Sequence, residues 1–273
     1  MAKLSFNVSH YTRLENIFHR KGWNKDIIAD KIKERYFRTL SLLDKDEQVL
    51  FLDLTERFTR ISIDSYVSEL VKVLPYLCGK NKNKKLYFAR CISKDDLNKT
   101  KSSNHVLYQF KGLTLKFLIT TNYEVIDDIQ QIDVKCLNNG TALLVLVDDF
   151  IGTGDTAMKA LGYVYECHPN LTNDSSVVFL SIASLQSGIA KIRDAGFNIY
   201  TSNVFRKGIT DYYTGIPKDE KIQKMRNIER KLNVTRKFKL GYKKSEALIC
   251  MNRCPNNTFP VYWYSKEIAP YER

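Results

Sequence analysis

Five consecutive residues near the middle of the chain, Leu143 to Val147, are all Leu or Val. A strand with one wet face alternates apolar and polar residues, so an unbroken run indicates a strand that is buried on both faces. Such strands occur in parallel sheets that carry helices on both sides. This run therefore predicts an α/β fold.

Short apolar segments on either side of this run predict further strands. We place them at Leu86 to Ala89, Val106 to Phe110, Leu113 to Thr120 and Val177 to Ile182. Helical spacing follows two of the strands, from Thr156 to Tyr165 and from Leu185 to Ala195. This order predicts an α/β core with a doubly wound, mainly parallel sheet between about Lys84 and Val204.

The sequence divides into an N-terminal helical section (1–80), the α/β core (81–210) and a small C-terminal hood (211–273). In the first section apolar residues recur at helical spacing after Ser9, a candidate N-cap. Further helices are expected over Glu47 to Phe58, and from an Asp64 cap to Leu77, where Pro75 and Gly79 mark the end. Nothing in this section indicates catalysis.

The chemistry is concentrated directly after the Leu143 strand. Asp148 and Asp149 follow it, and Gly152-Thr153-Gly154-Asp155-Thr156 opens the next helix. Ligands of open parallel sheets bind at the carboxyl ends of the strands. Ionised carboxylates accept hydrogen bonds from sugar hydroxyls, and amides at a helix start bind phosphate. The segment therefore predicts a site for a phosphorylated ribose, although a buried strand, an acidic pair and a glycine turn also occur in phosphate-free α/β proteins.

The stretch Leu143 to Thr156 resembles the motif with which type I phosphoribosyltransferases bind 5-phosphoribosyl-1-pyrophosphate (PRPP). The resemblance implies that Asp148 and Asp149 contact the ribose hydroxyls and act in catalysis. It also implies that Gly152, Thr153, Gly154, Asp155 and Thr156 wrap the 5′-phosphate, and that Mg²⁺ arrives bound to the substrate. Asp155 departs from the small or basic residue usual at its place, unless its side chain turns outward or caps the helix.

Other parts of the resemblance are looser. Arg90, after the Leu86 strand, corresponds to a pyrophosphate contact, with a surface ion pair as the alternative. The loop Asp95 to His105 corresponds to a mobile cover, whose Lys99, Lys101, Ser102 and Ser103 would close on pyrophosphate. A plain surface loop is the alternative reading.

The C-terminal residues Cys254 to Trp263 combine turn formers, amides and aromatic rings. Asn256 and Asn257 are candidates to read the edge of a base, and Tyr262 or Trp263 to stack on it. A terminal turn anchored in the core explains the same residues without a ligand. The Pro-Asn-Asn-Thr sequence, with Gly241 to Lys244 before it, resembles divergent phosphoribosyltransferase-like proteins of bacterial conflict systems, including retron-linked effectors.

The net charge of +13 attracts anions such as phosphates or nucleic acid. A nucleic-acid or nucleoprotein partner, such as a reverse transcriptase with its DNA or RNA, is therefore an expectation, and the oligomeric state stays open. The scattered cysteines predict neither a metal site nor disulfides. No apolar run spans a bilayer and Met1 to Ser9 lack a secretory pattern, so we expect a cytoplasmic protein without membrane contact.

Three functions fit these expectations. The first is a toxic effector of a bacterial antiviral defence system that uses the ribose phosphate pocket, which the basic charge and the C-terminal resemblance favour. The second is a housekeeping phosphoribosyltransferase of base salvage. The third is a regulator or assembly subunit that binds PRPP without turnover.

Overall fold

A computed structural model describes residues 8–271 and divides the chain into two compact units. The first unit contains the residues up to Arg60 and those from Arg206 on, and the second runs from Ile61 to Phe205. The tail of the predicted helical section, residues 61–80, thus belongs to the second unit. Met1 to Asn7, on which part of the localisation argument rests, lie outside the described residues.

The first unit is mainly helical. Its helices are α1 (Val8–Arg20), α2 (Ala29–Leu42) and α3 (Lys45–Arg57), and the short strand β1 (Thr59–Arg60) follows them. The unit's later part provides α10 (Gly215–Lys231) and β7 (Ile249–Cys250), which pairs in parallel with β1. Aromatic rings from both parts form one core, in which the ring centroid of Phe58 lies 4.2 Å from that of Tyr262 and 5.3 Å from that of Tyr271.

The second unit is an α/β domain. In chain order its elements are α4 (Tyr66–Lys80), β2 (Lys85–Arg90), α5 (Ser102–Gln109), α6 (Leu113–Leu118), β3 (Tyr123–Val125), α7 (Val134–Asn138), β4 (Ala142–Ile151), α8 (Asp155–Cys167), β5 (Val177–Leu185), α9 (Gln186–Asp194) and β6 (Asn198–Phe205). The five strands form a parallel sheet in the order β3-β2-β4-β5-β6. The expected α/β fold with a doubly wound parallel sheet is confirmed.

Both faces of the sheet are covered, as the Leu143 run predicted. On one face Leu144 and Leu146 of β4 pack in a cluster that includes Val164 of α8 and Ile192 of α9. On the other face Phe88 of β2 stacks on Phe110, with ring centroids 4.0 Å apart. All residues of β4 and β5 are buried.

Two predicted strands are wrong. Val106 to Phe110 lies mostly in α5, and Leu113 to Thr120 mostly in α6. Short apolar runs do not distinguish a strand from a buried helix face, and here Val106, Leu107 and Phe110 share one helical face. Strands β3 and β6 were not predicted, because one has three residues and the other is largely half-exposed.

Three predicted helix boundaries also differ. Ser9 lies inside α1, and α4 follows a 3₁₀ turn at Ile63–Ser65 without a side-chain cap from Asp64. Helix α4 also continues through Pro75 and Gly79 to Lys80. An interior proline costs a helix about 3 kcal/mol, which the burial of Leu74 and Leu77 on either side of it offsets. Among residues 8–271, no helix is long and apolar enough to cross a membrane.

Candidate functional site

The acidic pair lies where the order of the sheet reverses. The chain leaves β2 for β3 on one side and returns to β4 on the other side of β2. Arg90, the last residue of β2, pairs with Val147, whereas β4 stays paired with β5 as far as Ile151. Asp148 is therefore the first residue of β4 that has no pairing partner in β2. Such reversal points are where open α/β sheets bind their ligands.

Both carboxylates are buried and hydrogen-bonded. Asp148 and Asp149 are 8% and 5% exposed. The Tyr66 hydroxyl donates to Asp149 Oδ2 at 3.0 Å, and Ser102 Oγ donates to Asp148 Oδ1 at 3.2 Å. The backbone N–H of Asp149 also donates to Asp148 Oδ1, at 2.9 Å. The pair is thus covered by the start of α4 and the start of α5.

Burial, together with the negative charge of Asp149, raises the pKa of Asp148 well above its ordinary value. Burial likewise raises the pKa of the Cys91 thiol, which lies near Asp148. Two buried carboxylates side by side favour the sharing of one proton. Asp148 is therefore the member of the pair whose protonated form is favoured.

The glycine turn after β4 has the geometry of an anion cradle. Gly154 adopts φ 76° and precedes α8, whose first-turn N–H groups have no intrahelical acceptor. Within the described part of the chain, the Thr153 and Thr156 hydroxyls form no hydrogen bond. The Asp155 carboxylate accepts from Lys191 Nζ of α9 at 2.5 Å, so its side chain turns to α9 and its charge is compensated.

Helix α9 supports the back of this turn. A Cβ atom on Gly188 would lie 2.4 Å from the carbonyl oxygen of Gly152, and one on Gly154 would lie 3.3 Å from the carbonyl oxygen of Gly188. Only residues without a side chain allow this approach of the two backbones. The conformation of the turn is therefore fixed by packing as well as by its own sequence.

Two lysines of the loop between β2 and α5 contact one carboxylate. Asp96 accepts from Lys99 Nζ at 2.9 Å and lies 3.1 Å from Lys101 Nζ. Ser93 Oγ also donates to it, at 3.1 Å. The Lys99 contact, with Lys101 and Ser93 adding to it, lowers the pKa of Asp96 to about 2. The structure thus places Lys101, a predicted pyrophosphate contact, in an ion pair within its own loop.

Arg90 lines a cavity of about 330 Å³, whose wall does not include Asp148 or Asp149. Other parts of its wall are Leu146 of β4, Tyr163 of α8 and the Asp127–Gln130 loop. Leu146 and Asp148 share one face of β4, roughly 7 Å apart. Among the described residues, half-buried Arg90 has no salt bridge, so the predicted surface ion pair is not observed.

The predicted base-binding residues belong to the first unit. Trp263 is 6% exposed, donates from Nε1 to the Thr258 carbonyl at 2.8 Å and packs edge-on against Phe238. The Asn257 carbonyl accepts from Ala247 N–H and Ser245 Oγ, and the Asn256 carbonyl accepts from Tyr242 N–H. These contacts agree with the core-anchored turn, since Trp263 presents no open ring face for stacking.

Sequence reasoning missed Tyr66, because nothing in its helical segment indicated chemistry. A Tyr that is fully buried at the start of a helix needs a partner for its hydroxyl. That partner, Asp149, is distant in sequence and becomes visible only in the folded chain. Ser102 was placed in the predicted cover loop, and the structure directs its hydroxyl to Asp148.

The chain is similar to known proteins in two comparisons. Among solved structures, it is similar to Helicobacter pylori xanthine-guanine-hypoxanthine phosphoribosyltransferase, with 13% identity over 54% of this chain and 83% of that chain, at a TM-score of 0.29. No curated protein matches the chain significantly. The PRTase-CE family model matches residues 33–272. Because this match spans most of the sequence, the chain belongs to the PRTase-CE family.

Proposed function

We propose that the chain binds PRPP, or a closely related ribose phosphate, at Asp148, Asp149 and the Gly152–Thr156 turn. One observation supports this most directly. The acidic pair and a helix start without a side-chain cap lie at the same reversal point of the sheet. Carboxylates suit the vicinal hydroxyls of ribose, and the turn suits its 5′-phosphate. The family match supports the same ligand class.

The reaction we propose is displacement of pyrophosphate from the ribose by a nitrogen nucleophile. Asp149, which Tyr66 orients at 3.0 Å, would stabilise positive charge that develops on the sugar. Arg90, which lacks a salt bridge within residues 8–271, would contribute its guanidinium to the leaving pyrophosphate. The cavity of about 330 Å³ beside Leu146 has the size of a small-molecule acceptor site.

The donor set suits magnesium that arrives with the pyrophosphate. Carboxylate oxygens are ligands that Mg²⁺ accepts, and the ion commonly shares its coordination with substrate phosphates. Within residues 8–271, no group of three or more His, Cys, Asp or Glu side chains is placed to hold a metal ion. When bound, the ion would neutralise charge on the pyrophosphate, while Asp148 and Asp149 hold the ribose.

Titration calorimetry of the wild-type protein with PRPP and Mg²⁺ tests the proposal. We expect saturable binding of one PRPP per chain, and weaker binding of ribose 5-phosphate because it lacks the pyrophosphate group. Ribose without phosphate is the control, for which we expect no measurable heat. Absence of PRPP binding in the presence of Mg²⁺ would reject the site.

Ser102→Ala is expected to tighten PRPP binding by about threefold to fivefold. The ribose must displace the Ser102 hydroxyl from Asp148, and a neutral hydrogen bond contributes about 1 kcal/mol. Ser68→Ala, at an exposed hydroxyl that bonds only to the Ser65 carbonyl of its own helix start, is the matched control and should leave the affinity unchanged. Weaker binding by Ser102→Ala would show instead that this hydroxyl contacts the ligand.

For the biological role, we propose a toxic effector of a bacterial antiviral defence system. The net charge of +13 and the likeness of the C-terminal sequence to conflict-system proteins support this over base salvage. A salvage enzyme should release pyrophosphate from PRPP when given a mixture of free bases. An effector should halt growth on expression, and a regulator that only binds PRPP should do neither.

A further inference from the structure

The first unit presents a stretch of positive charge far in sequence from the proposed ribose site. Residues Arg236 to Lys244, which we call the basic loop, contain Arg236, Lys237, Lys239, Lys243 and Lys244 and no acidic residue. All of these cations are exposed except Lys239, which is half-buried. The loop thus presents a high density of positive charge to the solvent.

Lysines of α10, in contrast, pair with acidic residues of the same unit. On α10, Lys221 pairs with Asp53 at 3.7 Å and Lys224 with Asp46 at 3.1 Å. In contrast, four cations of the loop form no salt bridge within residues 8–271, namely Arg236, Lys237, Lys239 and Lys244. The basic loop therefore keeps a positive field that the paired lysines of α10 do not.

The backbone of the loop is held in a costly conformation. Leu240, Lys243 and Lys244 have φ values of 59°, 55° and 56°, in the left-handed region that side chains disfavour. Two hydrogen bonds fix this path: the Leu240 N–H donates to Glu229 Oε1 at 2.6 Å, and the Tyr242 N–H donates to the Asn256 carbonyl at 2.8 Å. Such conformations persist only where the surroundings enforce them, and they concentrate at binding sites.

An aromatic ring lies among the charges. The Tyr242 ring is half-buried, with Lys237 Nζ 6.0 Å and Lys243 Nζ 5.7 Å from its centroid. Lys237 Nζ also lies 5.5 Å from the Phe238 ring. Cations interleaved with aromatic rings are the arrangement with which proteins hold phosphates and bases of single-stranded nucleic acid.

We propose that the basic loop is a docking surface for single-stranded nucleic acid. The cations contact successive phosphates, and Tyr242 offers a surface for a base. A rigid loop keeps its charges in place before the strand arrives, so less entropy is lost on binding than with flexible lysines. This binding is independent of the proposed ribose site and goes beyond it.

Fluorescence anisotropy with a labelled single-stranded DNA of about 20 nucleotides, at about 50 mM salt, tests the proposal. The informative variant is Arg236→Gln with Lys237→Gln and Lys244→Gln. Loss of three phosphate contacts should weaken binding by roughly 30-fold and make the slope of log K against log salt shallower by about 2. A duplex of the same sequence, which hides its bases, should bind the wild type less tightly.

The matched control is Lys218→Gln with Lys221→Gln and Lys224→Gln, which removes the same charge from α10. It should weaken binding by less than about threefold. These lysines lie outside the basic loop, so their loss changes only the overall electrostatic field of the protein, which is spread over the whole surface. Equal losses in the two variants, or no binding by the wild type, would overturn the proposal. Should the loop variant not fold, photocrosslinking of the wild type to bromouracil DNA decides: crosslinks within residues 236–244 support the proposal, and crosslinks confined to other segments reject it.

Discussion

Replacing Asp148 and Asp149 together with Asn is expected to abolish PRPP binding, with an affinity loss of at least about 100-fold. Hydrogen bonds to a charged acceptor contribute about 1.5 to 3 kcal/mol each, and the double change removes the negative charge of the pair, to which both ribose hydroxyls would donate. The amides have the size of the carboxyls, so the shape of the site is preserved. Calorimetric titration with PRPP and Mg²⁺ measures the loss.

The variant should remain folded, because burial makes an ionised carboxylate at Asp148 costly and amides carry no charge. Its thermal unfolding should therefore occur at the wild-type temperature or above it. The control is Asp194→Asn with Asp219→Asn, an equal change in charge at two exposed positions, which should leave PRPP affinity unaltered. Wild-type affinity in the Asp148 and Asp149 variant would show that PRPP, if bound, sits elsewhere.

Stability should also depend on pH through Glu229, which is fully buried in the first unit. Its Oε1 accepts from Leu240 N–H at 2.6 Å, while Oε2 has no hydrogen-bond partner among the described residues. Burial raises the pKa of Glu229 to about 7. The folded state therefore binds a proton more tightly than the unfolded state, whose Glu titrates near about 4.3.

The sign of the effect follows from proton linkage. Between about pH 4 and pH 7 the folded chain binds more protons at Glu229, so the free energy of unfolding falls as the pH rises. By pH 8 the loss from this group should reach about 3 kcal/mol. In Glu229→Gln this contribution to the slope should disappear, making the variant more stable than the wild type above pH 7.

Denaturant unfolding at pH 5 and pH 8 measures this difference. Glu220→Gln, an exposed glutamate on the same helix, is the control and should keep the wild-type slope. An unchanged slope in Glu229→Gln would mean that this carboxyl is solvated or paired in solution. An equal slope in all three proteins would assign the pH dependence to other groups.

The core of the fold was predictable where the sequence has one dominant pattern. The unbroken Leu143 run predicted a strand buried on both faces, and the helices after it have clear apolar spacing. The strand predictions were wrong over residues 102–118, because short apolar segments there suit a strand or a helix face equally well. Tertiary packing decides such cases, and this packing cannot be inferred from a single sequence.

The candidate site was predictable to the extent that it is local in sequence. Asp148, Asp149 and the Gly152–Thr156 turn follow one strand, so their neighbourhood was evident. The donors to the two carboxylates were not, since Tyr66 and Ser102 come from other helices and are distant in sequence. Trp263 was ambiguous for a related reason: an aromatic ring near a terminus serves a core or a ligand, and only its burial separates the two.

The pairing of β1 with β7 has a consequence for how the chain matures during translation. Thr59 and Ile249 are partners in that short ladder, although the whole α/β unit lies between them in the sequence. The early helices therefore keep part of their aromatic surface uncovered until Tyr262 and Tyr271 have been synthesised. The α/β unit needs no such delay, because all of its strands have been synthesised by Phe205.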